Sequence, residues 1–283
     1  MKISLVRALR AAFLVAGLSA TSLSWGGEAE VKALLLKKYP AVGAAAVVKK
    51  LDIGGLYEVN LLGQEAYTNE KVEFLLVGGS LVDAKSLEDV TAKRRPQFLR
   101  DFYQGLPLGS AIKTVYGKGE RSLVSFEDPD CPYCRAQHAD WAKDPAALNA
   151  TVYTFMFPLS NHPDARRKAE FIMCQPDPSA AWSSWMTSAK GLPLAQNGAL
   201  LSSAVPSCPD GVAKVKAGEE LARAMGYHET PRFIFAHGMG ANGYLTMAQF
   251  QEAFVAVQRS LAQLAQSPIA PPASASRRVE KAK

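Results

Sequence analysis

A pair of cysteines separated by two residues constrains this chain more than any other feature. The sequence CPYC occupies residues 131–134, after a strand-like segment at 121–126 and at the start of a helical segment at 132–143. Free N–H groups and the positive end of the helix dipole meet at such a helix start, and both stabilise a thiolate. We therefore predict that Cys131 has a lowered pKa and attacks disulfides, and that Cys134 resolves the resulting mixed disulfide.

Other uses of a cysteine pair at this spacing fit the sequence less well. A zinc or iron–sulfur site needs four clustered ligands, but Cys174 and Cys208 lie far downstream without ribbon spacing. Covalent haem attachment requires histidine directly after the second cysteine, where this chain has Arg135. A passive structural disulfide stays open as an alternative. We expect neither a metal nor an organic cofactor, because the dithiol itself carries the electrons.

The first 26 residues have the layout of a secretory signal peptide. Basic residues end at Arg10, an apolar run covers residues 11–18, and small residues follow. The apolar run is much shorter than the roughly 20 residues that span a bilayer. We predict that residues 1–26 are a cleaved signal peptide and that the mature protein works in the periplasm.

All four cysteines lie in the predicted mature chain, and an even number in an exported protein indicates disulfide chemistry. Four cysteines allow three pairings, among which the sequence alone does not choose rigorously. The short spacing favours pairing of Cys131 with Cys134, which leaves Cys174 with Cys208.

The net charge of +6 is carried by the two ends of the chain. Residues 1–26 and 267–283 are each rich in lysine or arginine, and the segment between them is balanced. This distribution does not support a nucleic-acid-binding body. The prolines and basic residues of 267–283 predict a disordered tail.

Residues 27–85 are predicted to form a small first domain of one helix and several short strands. The segment 28–38 has the pattern of an amphipathic helix, and alternating apolar residues at 57–61 indicate a half-buried strand. A domain of about 60 residues has a small core, and its exposed strand edges need cover. Pairing with a second copy would provide that cover, so we predict a homodimer.

A linker helix is predicted over residues 86–104. The run from Ser86 to Asp89 resembles a capping box, which would start the helix there. Pro96 lies within the segment and predicts a kink or two helical pieces.

Residues 105–266 alternate strand and helix patterns, as in an α/β unit around a small mixed sheet. The predicted strands are 121–126, 151–157 and 232–236. Helices are predicted at 132–143 and 246–264, and helical segments are predicted to fill roughly 164–189 and 211–225. Together with the first domain, this pattern makes the fold class α+β.

Three stretches resemble one family, the DsbC/DsbG-type periplasmic thiol:disulfide interchange proteins. They are YEVNLLGQEAYTNEKVEFLLVGGSLVDAK at 57–85, FEDPDCPYCRAQH at 126–138 and ETPRFIFAHG at 229–238. The resemblance implies a cystatin-like N-terminal dimerisation domain, a linker helix, and a thioredoxin-fold catalytic domain with a helical insertion. It spans nearly all of the mature chain except the tail.

The resemblance also implies roles for particular residues. Cys131 matches the exposed nucleophile of the family and Cys134 the resolving cysteine. Thr230 and Pro231 match the segment, with its cis-proline, that faces the dithiol and pairs with the substrate backbone. Pro132 and Tyr133 would line the same substrate site, and Cys174 with Cys208 match the family's structural disulfide.

The implied activity is that of a thiol–disulfide oxidoreductase that isomerises or reduces non-native disulfides in exported proteins. The implied partners are a second copy, misfolded or misoxidised exported proteins, and a DsbD-like membrane reductase. One departure leaves the balance of activities open, because Pro132-Tyr133 is more typical of DsbG relatives. A DsbG-like reductase that protects single cysteines, and a chaperone-like binding protein, are therefore kept as alternatives.

Residues flanking the dithiol are candidates for tuning it. His138 lies one helical turn after Cys134 and either tunes the thiols or simply packs there. Asp128 or Glu127 could transfer a proton near Cys134, although a solvated loop carboxylate is the simpler interpretation. The other histidines, His162, His228 and His237, have no metal-ligand spacing.

Overall fold

The computed structural model describes residues 27–40, 43, 46–188, 195–196, 199–200 and 207–266. The predicted signal peptide and the predicted tail lie outside these residues. The first domain consists of α1 (Glu28–Lys38) against a four-stranded antiparallel sheet in the order β1-β2-β3-β4. Its strands are β1 (Val48–Lys50), β2 (Tyr57–Leu61), β3 (Gln64–Thr68) and β4 (Leu76–Val77).

Strand β2 is buried on both faces, so the prediction of a half-buried strand is wrong. Its apolar residues Tyr57 and Val59 pack in one core cluster with Leu35 of α1. The alternate residue Glu58 is 2% exposed and receives two hydrogen bonds, at 3.0 and 3.1 Å, from the Arg94 guanidinium. A paired charge can be buried, and this pair lets a helix cover the polar face of the strand.

That covering helix is α2 (Val90–Gln104), which begins later than the sequence predicts. Asp89 caps it by accepting the N–H of Ala92 at 2.9 Å, whereas Ser86 lies in a preceding turn held by Asp83. Pro96 lies inside one continuous helix, so the predicted division into two helical pieces is not observed. Phe98 and Phe102, which follow Pro96 in the helix, are both buried. Their packing stabilises the helix although the proline lacks a backbone N–H.

The second sheet has the order β11-β10-β6-β7-β5, in which β6 and β7 are parallel and the other neighbours antiparallel. Its strands are β5 (Ile112–Val115), β6 (Arg121–Glu127), β7 (Ala150–Met156), β10 (Arg232–Phe235) and β11 (Gly240–Asn242). A separate two-stranded hairpin consists of β8 (Ala195–Gln196) and β9 (Ala199–Leu200). The two edge strands β5 and β11 were not predicted, because they are short and β11 carries none of the residues typical of strands.

Helices cover both faces of this sheet. They are α3 (Pro132–Lys143), α4 (Pro145–Leu148), α5 (Ala165–Met173), α6 (Pro178–Thr187), α7 (Pro209–Ala224) and α8 (Met247–Gln266). Val124 and Phe126 of β6 pack with residues of α2 and α7, while Leu123 packs with α3 and α8. Strand β6 is thus the centre of the core, and a short loop connects its end to the CPYC sequence. Within the described ranges, no helix combines the length and apolarity needed to cross a membrane.

Candidate active site

Cys131 is the N-cap residue of α3. Its sulfur accepts the backbone N–H of Cys134 at 3.4 Å. The pKa of the Cys131 thiol is lowered to about 6, chiefly because the Cys134 thiol donates a hydrogen bond to it. Burial opposes this lowering, and the side chain of Thr230 and the backbone N–H groups of Cys134 and Tyr133 add to it. At neutral pH the thiolate is therefore the dominant form.

Cys134 lies in the opposite electrostatic situation. Its side chain is completely buried, and burial is the main reason that its pKa is raised well above the ordinary value. The Cys131 sulfur and the charge of Glu127 raise this pKa further. The two cysteines are free thiols. The structure thus provides one sulfur that ionises readily and one that keeps its proton.

The segment opposite the dithiol contains a cis peptide bond between Thr230 and Pro231. The carbonyl oxygen of Thr230 lies 3.4 Å from the sulfur of Cys131. The Pro231 carbonyl is held by the N–H of Gly243 at 2.8 Å, which ties this segment to the residues after β11. The fold therefore brings together two segments that are 99 residues apart in the chain.

Cys131 is less exposed than the family resemblance implies. The residue is 3% exposed because the Thr230–Pro231 segment packs over it, so the expectation of an openly exposed nucleophile is wrong. Tyr133 beside it is 63% exposed, and Pro132 is also at the surface. A substrate would meet these two residues first and reach the sulfur at their edge.

His138 packs behind the dithiol in a buried polar network. Its Nε2 lies 2.7 Å from Glu127 Oε2, and its Nδ1 lies 3.1 Å from the hydroxyl of Tyr116. These two contacts occupy both ring nitrogens. Glu127 is completely buried at the end of β6, and its second oxygen, Oε1, has no hydrogen-bond partner. His138 is therefore a packed histidine that is bonded to a carboxylate near Cys134.

Asp128 is also completely buried, which corrects the interpretation of it as a solvated loop residue. Its carboxylate accepts N–H groups of Asp130 and Leu159, each at 2.6 Å, and lies 2.9 Å from Nδ1 of His162. These bonds pin the loop that precedes Cys131. In the part of the chain that the structure describes, no group of three or more metal-ligating side chains occurs.

Two further residues hold the same loop, a role that the sequence analysis did not predict for them. The indole N–H of Trp185 donates to the carbonyl of Pro129 at 2.9 Å. Arg135 donates to that carbonyl at 3.4 Å and to the carbonyl of Trp185 at 2.6 Å. No sequence signal marks Trp185, because it lies in α6, far along the chain from the dithiol. Arg135 directly follows Cys134, but its sequence position does not reveal which carbonyls it binds.

A disulfide joins Cys174 to Cys208, with Cα atoms 5.6 Å apart. Cys174 follows the end of α5, and Cys208 is the N-cap of α7, where its sulfur accepts the N–H of Gly211 at 3.3 Å. A side chain at Gly211 would place its Cβ 2.4 Å from the Cys174 sulfur, so only glycine fits against this bond. The disulfide therefore closes the segment that contains α6.

A low-pKa cysteine at a helix start, facing a cis-proline at the end of a mixed sheet, defines the class of thioredoxin-like dithiol proteins. Comparison with known families agrees: residues 108–258 match the thioredoxin-like domain, and residues 22–92 match the N-terminal domain of disulfide bond isomerase proteins. The chain thus belongs to the thioredoxin-like family and carries the N-terminal domain of the disulfide bond isomerases.

Individual relatives point to the same family. The chain is 37% identical over 142 residues to a probable thiol:disulfide interchange protein DsbC of Bordetella pertussis, covering 50% of this chain and 49% of that protein. It is 32% identical over 199 residues to the protein of the same name in Bordetella avium, covering 70% and 65%. The matches thus span less than two thirds of these relatives. A disulfide interchange protein from Neisseria gonorrhoeae is 34% identical, covering 54% of this chain and 99% of that one, with a TM-score of 0.45.

Proposed function

We propose that this protein is a thiol–disulfide oxidoreductase that isomerises or reduces non-native disulfides in exported proteins. The observation that carries the proposal is the Cys131 sulfur, held at the start of α3 with a lowered pKa and facing the cis Thr230–Pro231 segment. The names of the relatives support the same activity.

The reaction begins when the Cys131 thiolate attacks one sulfur of a substrate disulfide. A Cys131–substrate disulfide forms, and the other substrate sulfur leaves as a thiolate. In isomerisation, a different substrate thiolate attacks the substrate sulfur of this mixed disulfide; a new disulfide forms within the substrate, and Cys131 leaves as a thiolate. In reduction, Cys134 attacks Cys131, the substrate leaves with both thiols, and a Cys131–Cys134 disulfide remains. A DsbD-like membrane reductase would return the two electrons.

The reductive branch needs a base, because Cys134 holds its proton firmly. Glu127 is the residue we propose for this role, since its Oε1 is unpartnered and it is bonded to His138, one helical turn from Cys134. The Cys134 proton would pass to that carboxylate as the thiolate attacks Cys131. His138 would hold the carboxylate in place, and Asp128 would hold the preceding loop.

The substrate site would consist of Pro132 and Tyr133 on one side and the Thr230–Pro231 segment on the other. An unfolded chain in extended form would pair its backbone with that of Thr230, as in a short strand addition. The exposed ring of Tyr133 would contact apolar side chains of the substrate.

We further propose that the protein is an exported homodimer in the periplasm. Among the described residues, β4 is the last strand of its sheet, and exposed apolar residues lie on it and in the chain segments before and after it: Phe74, Leu76, Val77, Val82 and Leu87. We call these five residues the edge patch. Pairing of two edge patches would bury them and cover both free edges. Residues 1–26 would be removed on export.

Refolding of a scrambled multi-disulfide substrate tests the activity. Cys131→Ser should abolish recovery of the native substrate, and Cys134→Ser should retain part of it, because isomerisation needs one thiolate. A chaperone with a passive disulfide would suppress substrate aggregation equally well after either substitution. A reductase for single cysteines would instead favour sulfenylated or mixed-disulfide substrates over scrambled ones.

A further inference from the structure

A lysine is buried beside the loop that precedes Cys131, and it has no role in the reaction proposed above. The side chain of Lys168 in α5 is 7% exposed, which is unusual for an ammonium group. Its Nζ lies 2.6 and 2.8 Å from the two carboxylate oxygens of Asp130 and 5.8 Å from the ring centre of Trp185. Burial of an ammonium is costly unless it is paired, so the site is built around Asp130.

Asp130 is the residue directly before Cys131. An unpaired carboxylate on the residue that adjoins Cys131 in the chain would disfavour negative charge on its sulfur. The ion pair cancels much of this repulsion. The N–H of Asp130 is also bound by Asp128, so its backbone position does not depend on Lys168 alone.

Other charged and titratable groups face this loop, and most have acceptors or donors of their own. Arg135 donates to backbone carbonyls, including that of Pro129. The remaining groups are Asp128, which contacts His162; Glu127, which contacts His138; and the protonated thiol of Cys134.

We propose that Lys168 is a positioning residue for the dithiol, which keeps the Cys131 sulfur ionised by neutralising Asp130. The inference rests on the proposed function, because it assigns Lys168 to the same nucleophile. Lys168 lies outside the motif and acts through Asp130, not by touching the substrate.

The test measures iodoacetamide alkylation of Cys131 against pH in the full-length protein and in three variants. Lys168→Met leaves Asp130 unpaired, so we expect the alkylation rate at pH 6 to fall by about 2- to 5-fold. Asp130→Asn leaves Lys168 unpaired, so we expect the rate at pH 5 to rise by about 2- to 4-fold. The double variant should titrate like the wild type, and Lys143→Met, which breaks an exposed ion pair with Asp140, is the control.

Opposite shifts in the two single variants, with recovery in the double variant, support the proposal. If Lys168 and Asp130 only supported the structure, both single variants would change the alkylation rate in the same direction. That result would overturn the proposal, and so would the absence of any change in rate. If the wild-type protein itself titrates like an ordinary thiol, the proposed function fails first. If the wild type titrates near pH 6 and the variants match it, the role of Lys168 alone fails.

Discussion

The thiol of Cys134 should control the acidity of Cys131 through one hydrogen bond. That bond is the largest contribution to the lowered pKa of Cys131. Cys134→Ala removes the donor, whereas Cys134→Ser replaces it with a hydroxyl donor in a similar place. Hydrogen bonds to charged groups contribute about 1.5–3 kcal/mol, which corresponds to roughly 1–2 pKa units. The Cys131 pKa should therefore rise from about 6 to roughly 7–8 in the alanine variant.

The sign of the pH dependence follows from the lowered pKa. Cys131 is reactive as a thiolate above its pKa, and its reactivity is lost as the pH falls through that value. At pH 7, Cys134→Ala should alkylate about 2- to 10-fold more slowly than the wild type. Stopped-flow alkylation with mass-spectrometric assignment of the modified cysteine measures this. Equal pH profiles for the alanine and serine variants would refute the argument, and a native Cys131 that iodoacetamide cannot reach would refute the proposed nucleophile.

Three further predictions concern stability, proton transfer and assembly. Replacing both Cys174 and Cys208 by alanine should lower the free energy of unfolding by about 4 kcal/mol in the chain-entropy treatment, since the disulfide spans a separation of 34 residues; urea denaturation showing a loss below about 1 kcal/mol would contradict this. Glu127→Gln should slow release of a trapped mixed disulfide by about 100-fold while leaving alkylation of the nucleophile unchanged; quench-flow rates equal to the wild type would exclude its role as base. Leu76→Glu in the edge patch should give a monomer by light scattering, and Tyr39→Glu, an exposed site on the same domain, should leave the dimer intact; a dimer in both variants would rule out the edge patch.

Several features could be predicted from the sequence because they depend on neighbouring residues. The start of α3 follows from a helix N-terminus with a cysteine cap, and the largest cause of the lowered pKa of Cys131 is the thiol of Cys134 in the same motif. The helix at 28–38 has the predicted bounds, and the central strand β6 ends one residue later than predicted. The family, with its two domains, could be named from the three matching stretches.

The tertiary structure decided what surrounds the sulfur. Whether Cys131 is open or covered depends on the Thr230–Pro231 segment, which reaches it from 99 residues away. The polar face of β2 became buried because Arg94 of a later helix pairs with Glu58. Lys168 carries no motif, yet its ammonium lies against the residue before the nucleophile. Local patterns determine where helices start and place a cysteine at such a start, whereas burial and ion pairing depend on contacts between distant segments that only the folded chain brings together.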